Sequence, residues 1–179
     1  MVSLSELKSS LGDDTKDLRL NLDAVLRGSV IDLPTSYAIA LCSAIFIKDD
    51  DLAQALLAEA VEQLSPEAVS DARAAAAIMG MNTVYYRFRH MIEKPSYGAK
   101  PAGLRMNRMV RPATNKTLFE LCSMACAALA GCQMCIQSHE ASLLKEGQTE
   151  DQVHEAVRIA SVVNGFSTAV FAAPVGQGL

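Results

Sequence analysis

Four residues in the stretch Glu120–Glu140 have the types and spacing to carry thiol chemistry. Cys132 and Cys135 form a Cys-x-x-Cys pair, His139 follows four residues after Cys135, and Glu120 lies twelve residues before Cys132. Two cysteines three apart at the start of a helix share one face. Gly131, directly before Cys132, is a natural break between two helices and places Cys132 at or near the N-cap of the second. Unpaired N–H groups and the helix dipole at such a position favour a thiolate and lower its pKa. His139 is one turn beyond Cys135, so its imidazole can take the thiol proton or stabilise the thiolate. If the helix that carries Glu120 folds back antiparallel, the carboxylate can hydrogen-bond His139 and orient the ring. Nucleophile, base and orienting group would then form one cluster.

Other readings of the same residues exist. A closed zinc site needs four ligands. The sequence has no second Cys-x-x-Cys and no His-x3–5-His, which leaves Cys122, Cys126, His139 and His154 as the further candidates. Free cysteines are often inert and buried, but the histidine beside this pair argues for chemistry. A purely structural disulfide closing two residues gains little chain entropy. Taken singly, Glu120 reads as a solvated charge and His139 as a hydrogen-bonded core histidine. A reversible redox pair accounts for the four residues together better than any of these.

The elements around the cluster read as helices. The chain has 179 residues, half of them apolar, with no Trp and a formal charge of −4. That length suits one domain with a sizeable core, and the alanine- and leucine-rich segments favour helix. The net acidity and the lack of a basic block argue against a nucleic-acid partner. Charges at Glu6, Lys8, Asp13, Asp14 and Lys16 interrupt any signal-peptide core. Two uncharged runs, Leu121–Gln137 and Ile159–Gln177, contain Gln, Asn, Ser, Thr and Pro and fit buried helices better than membrane spans. Five cysteines without a secretion signal point to a reducing, cytoplasmic setting.

In chain order, Ser3–Leu11 and Asp14–Arg27 read as short amphipathic helices, the second ended by Gly28. Pro34 opens a third helix to about Ile47. Asp49, Asp50 and Asp51 cap a fourth. Ser65-Pro66-Glu67 starts a long helix to about Met91, expected to be the most buried element. Prolines and glycines mark Glu93–Asn115 as a connection with one short helix around Leu104–Val110. Helices over Thr117–Ala130 and Cys132–Glu146 follow, then one opened by the capping box Thr149-x-x-Gln152 and running to about Phe171. The tail after Pro174 is expected to fray. Sliding the first half by 84 positions sets Cys42 on Cys126, Val69 on Val153 and Ala72 on Ala156, the pattern of an internal duplication. In that register Lys48, Asp51 and Ala55 stand where Cys132, Cys135 and His139 stand. The expected organisation is a single all-α domain over residues 1–179: a scaffold half to about residue 92, a linker over 93–115, and a catalytic half over 116–173. Cys42, Cys122 and Cys126 read as core packing, and His90 and His154 are given no role.

The spacing Glu-x11-Cys-x2-Cys-x3-His resembles the alkyl hydroperoxidase D (AhpD) family of the carboxymuconolactone decarboxylase-like superfamily. The stretches Ala75–Arg87 (AAAIMGMNTVYYR) and Gly103–Asn107 (GLRMN) are similar to family stretches too, so the resemblance covers essentially the whole chain. It implies an all-α fold with two similar halves, a homotrimer, and a thiol peroxidase that reduces organic hydroperoxides. It also implies a reductant of the peroxiredoxin AhpC that draws electrons from dihydrolipoamide on a lipoyl-bearing protein, with no bound cofactor or metal. Carried over by position, Cys135 is the residue that forms the sulfenic acid. Cys132 is the proton donor that then closes the disulfide, and Glu120 and His139 are the proton relay. Met134 departs from the pattern, since well-known members have a histidine there, and a methionine cannot move protons. A decarboxylase-type activity is the alternative within the superfamily; a structural zinc or binding module is the alternative outside it.

Overall fold

The computed structural model describes residues 2–175, and all regular structure among them is helical. Two short helices, α1 (Leu4–Ser9) and α2 (Lys16–Val25), precede α3 (Leu33–Phe46), α4 (Asp50–Glu59) and the long α5 (Pro66–Met91). A connection with the single turns α6 (Pro95–Gly98) and α7 (Asn107–Val110) leads to α8 (Lys116–Leu129), α9 (Gln133–Lys145) and α10 (Glu150–Ala172). The all-α expectation holds. The expected fraying beyond Pro174 falls largely on 176–179, outside the described residues.

Short polar side chains set the helix starts. Asp32, Asp49, Ser65 and Asn115 each accept the N–H of the residue three further on, and Thr149 and Gln152 close a reciprocal box. Several boundaries differ from expectation, two of them for evident reasons. α2 begins at Lys16 rather than Asp14, because Thr15 N–H closes a turn on Gly12 O first. α6 begins on Pro95, which reads as a breaker in sequence; at the first helical position its missing N–H removes no bond.

The two halves share a plan. The caps Asp32 and Asn115 are 83 residues apart, as are Asp49 and Cys132, whereas Ser65 and Thr149 are 84 apart. Lys48 (φ 66°) precedes Asp49 as Gly131 (φ 62°) precedes Cys132. The helix starts therefore set Cys132 against Asp49 rather than Lys48, one residue off the sequence register, because the α9 segment carries one residue more. α3 packs on α4 and α5 as α8 packs on α9 and α10, and α3 and α8 pack on each other.

The most buried elements are α3 and α8, not α5. α8 buries ten successive side chains from Leu118 to Ala127. On α5 burial stops at Thr83, and Val84, Phe88 and Met91 are 61%, 45% and 72% exposed. The buried apolar side chains of α5 are mostly alanine (Ala68, Ala72, Ala75 and Ala76, with Met79), which make a narrow buried face rather than a helix enclosed all round. Between α3 and α8 the Cys42 and Cys126 sulfurs are 3.4 Å apart, in the core. The Cys42 pKa is lowered by its contact with Cys122, but the adjoining Cys126 thiol and full burial outweigh this and raise it well above the ordinary range. Cys122 is raised likewise, by Cys42 and by burial. Both are protonated packing groups, as their sequence reading expected. No described helix is long and apolar enough to cross a membrane.

One buried carboxylate ties the connection to the helical core. Asp71 on α5 accepts the N–H groups of Ala113 (3.0 Å) and Thr114 (2.8 Å), the Thr114 hydroxyl (2.7 Å) and Arg108 Nε (2.8 Å). Burial alone would raise its pKa, but these donors together hold it below the usual 3.8. Because the folded-state pKa is the lower one, the stabilisation is present above the unfolded value. It is lost as pH falls through the folded value. Asp71→Ala leaves the part-buried Ala113 and Thr114 N–H groups and Arg108 without their shared acceptor and is expected to lower unfolding stability by about 1–3 kcal/mol near neutral pH. The difference from wild type should shrink in acid, below about pH 4, in denaturant titrations.

Candidate active site

α8 and α9 form a hairpin whose joint holds the thiol pair. At the end of α8, Gly131 N–H bonds Ala128 O and Cys132 N–H bonds Ala127 O, while Arg87 of α5 donates to Ala130 O at 2.7 Å. Gly131 is left-handed there; a side chain would cost about 1–2 kcal/mol. Cys132 is the N-cap of α9, and its sulfur accepts the Cys135 N–H at 3.4 Å. The two Cα atoms are 5.3 Å apart and the sulfurs are joined in a disulfide. The sequence placed Cys132 in this cap through Gly131, and the fold has it so.

The hairpin brings Glu120 of α8 against His139 of α9, with Oε2 2.7 Å from Nδ1 and both side chains buried. A carboxylate only accepts, so Nδ1–H donates to it and Nε2 is the nitrogen left for proton transfer. A buried pair of this kind is specific in geometry, and removing one partner leaves the other desolvated and alone.

A cavity of about 250 Å³ opens on Cys135 and His139. Met134 and Ser138 of α9 complete that side. Met106 and Met109, from the connection and α7, and Asn82 and Tyr86, from α5, form the rest of the wall. The lining is chiefly apolar and flexible, suited to an organic group of variable shape. Asn82 is 5% exposed, and its side-chain oxygen has no protein partner. An unpaired buried carbonyl is destabilising by about 1–3 kcal/mol. A larger hollow of about 770 Å³, walled by Leu41, Ile45, Leu57, Val69 and Arg73, contains no cysteine or histidine.

The four candidate residues therefore meet in one place. Cys42, Cys122 and Cys126 lie apart in the core, and His90 and His154 are exposed and do not line the cavity. Among the described residues no three His, Cys, Asp or Glu side chains converge to hold a metal ion. Sequence reasoning gave no role to Asn82, Tyr86, Met106 or Met109. Asn82, Tyr86 and Met106 fall within the stretches Ala75–Arg87 and Gly103–Asn107, whose resemblance to family stretches does not say what they face, and Met109 lies outside both.

Comparison with known proteins gives the chain's family. The sequence model of the carboxymuconolactone decarboxylase family matches residues 95–177. The alkyl hydroperoxide reductase AhpD of Anaeromyxobacter dehalogenans is 45% identical over 95% of this chain and 91% of its own length. The protein of that name from Maricaulis maris is 45% identical over 96% of this chain and 99% of its own. The one from Streptomyces avermitilis is 41% identical over 97% and 98%. This chain belongs to the alkyl hydroperoxide reductase AhpD family.

Proposed function

We propose that this protein is a thiol peroxidase that reduces organic hydroperoxides through Cys132 and Cys135. The observation that carries the reading is the disulfide-bonded pair set beside a buried Glu120–His139 bond, with Cys135 and His139 facing one apolar cavity. In the reduced enzyme His139 Nε2 draws the proton from Cys135, and Glu120 stabilises the imidazolium that forms. The Cys135 thiolate attacks the terminal oxygen of the hydroperoxide and the O–O bond breaks. Cys135 becomes a sulfenic acid, and the alkoxide leaves as an alcohol with a proton from the Cys132 thiol or the imidazolium. Cys132 sulfur then attacks the sulfenic sulfur, water departs, and the disulfide closes. Two electrons have passed from the dithiol to the peroxide. Met134 takes no part in proton transfer, so the relay rests on Glu120 and His139.

An external dithiol must reopen the pair by exchange. Family membership favours dihydrolipoamide on a lipoyl-bearing protein as that donor and the peroxiredoxin AhpC as an acceptor of the electrons, in the cytoplasm. The exposed row Val84, Phe88 and Met91 at helical spacing on α5 supports a subunit contact, and the assembly we assign is a homotrimer. Sedimentation as a monomer would count against that assembly. A decarboxylase reading draws on the name of the matched family alone; a redox pair has no evident work to do in it.

The test is thiol mapping by mass spectrometry. One equivalent of cumene hydroperoxide added to reduced protein should convert Cys132 and Cys135, and no other cysteine, to a disulfide that dihydrolipoamide reopens. Thiols that stay reduced would overturn the peroxidase function; a disulfide that dihydrolipoamide leaves closed would overturn the donor.

A further inference from the structure

Asn82 is the polar group that the reaction described above does not use. It sits on α5, in the half of the chain without the thiols, yet lines the same cavity as Cys135 and His139. It is 5% exposed, and its side-chain oxygen is the one buried side-chain polar atom among the described residues without a hydrogen-bond partner in the protein. The other buried polar groups are satisfied close at hand. Ser43, Thr83 and Ser123 bond backbone carbonyls, Asp71 has four donors, and Glu120 has His139. A carboxamide held at a cavity wall with its acceptor unmatched is arranged for a donor that arrives from the cavity.

We propose that Asn82 contacts the substrate, its side-chain oxygen accepting the O–H of the hydroperoxide and holding the terminal oxygen toward Cys135. The proposal rests on the peroxidase reading. A hydroperoxide has one O–H donor, on the oxygen that the thiolate attacks. Bonding that hydrogen fixes the attacked oxygen while the organic group lies against Met106, Met109 and Met134. The same hydrogen stays on the oxygen as it passes to sulfur, so the contact persists into the sulfenic acid. The O–O bond can then align with the sulfur without help from the position that Met134 occupies. The contact also gives the apolar cavity a reason to prefer a hydroperoxide to the alcohol's ether or the parent hydrocarbon.

The test compares two oxidants on reduced wild type, Asn82→Ala and Asn82→Leu. Cumene hydroperoxide carries the O–H; dithiodipyridine oxidises the same thiols by exchange and has none. The ratio of the two rate constants should fall roughly tenfold or more in both variants. Asn82→Leu should melt no lower than wild type, because an apolar group replaces an unpaired carbonyl. A second measurement uses wild type alone: cumyl alcohol should protect the reduced pair from alkylation at lower concentration than cumyl methyl ether. An unchanged rate ratio, or equal protection by alcohol and ether, overturns the assignment while leaving the peroxidase intact. If reduced wild type reacts with dithiodipyridine and not with the hydroperoxide, the peroxidase reading fails and this assignment falls with it.

Discussion

Cys135→Ser is expected to bring hydroperoxide consumption down to the uncatalysed rate, whereas Cys122→Ser should retain most of the activity. Only a thiolate is nucleophilic enough toward the O–O bond, and a serine hydroxyl under the same histidine is not. Cys122 is a fully buried packing group whose pKa is pushed well up by Cys42 and by burial, so its loss removes no reacting atom. The measurement is steady-state removal of cumene hydroperoxide with an excess of dithiol. Cys132→Ser separates the two roles within the pair: it should still form one sulfenic acid at Cys135, trapped by dimedone, but fail to close the disulfide. A sulfenic acid trapped instead at Cys132, in a Cys135→Ser protein, would reverse the assignment.

The second large effect belongs to the buried relay. His139→Ala removes the imidazole that lines the cavity, and oxidation of the reduced pair should slow by about 10²–10⁴-fold near neutral pH. Glu120→Gln is the gentler change, since an amide oxygen can still accept from Nδ1 at the position 2.7 Å away. It removes the negative charge that stabilises the imidazolium, so its rate should fall between those of wild type and His139→Ala. Part of the histidine effect is a base effect, so raising the pH toward the ordinary thiol range should recover the rate of His139→Ala more than that of wild type. Rates independent of both residues would mean that Cys135 ionises without them. Thermal melts would separate this from unfolding, as breaking a buried pair costs about 3–5 kcal/mol when one charge is left behind.

Much of this was legible in the residues. Gly131 before Cys132 foretold a break between two helices and a thiol N-cap; the left-handed backbone at that break is one that glycine adopts without a side-chain penalty. The four-residue step from Cys135 to His139 placed both on one helix face, as the fold has them, since that depends on local geometry alone. Glu120 needed more: it meets His139 because the hairpin is antiparallel and short. The burial of α5 was misjudged, because apolar composition does not say how many neighbours enclose a helix; Val84, Phe88 and Met91 lie outside the core. Asn82 was beyond reach for a related reason. A lone Asn in an alanine-rich helix has no pattern of its own, and only the packing of α5 on α9 brings it to the thiols.

The joint between α8 and α9 is just Ala130, Gly131 and Cys132. An α-helix advances about 100° per residue. One residue added or removed there and taken up in the first turn of α9 would swing the imidazole about a quarter of a turn away from the carboxylate, although every reacting side chain would still be present. The joint acts as a gauge of fixed length. The same gauge stands between α3 and α4 as Ile47, Lys48 and Asp49, with no thiol in it. The chain therefore has two joints of the same length, only one of them fitted with reactive groups. A sequence that preserves all four residues but differs in length at this joint should keep its cysteines and lose their base.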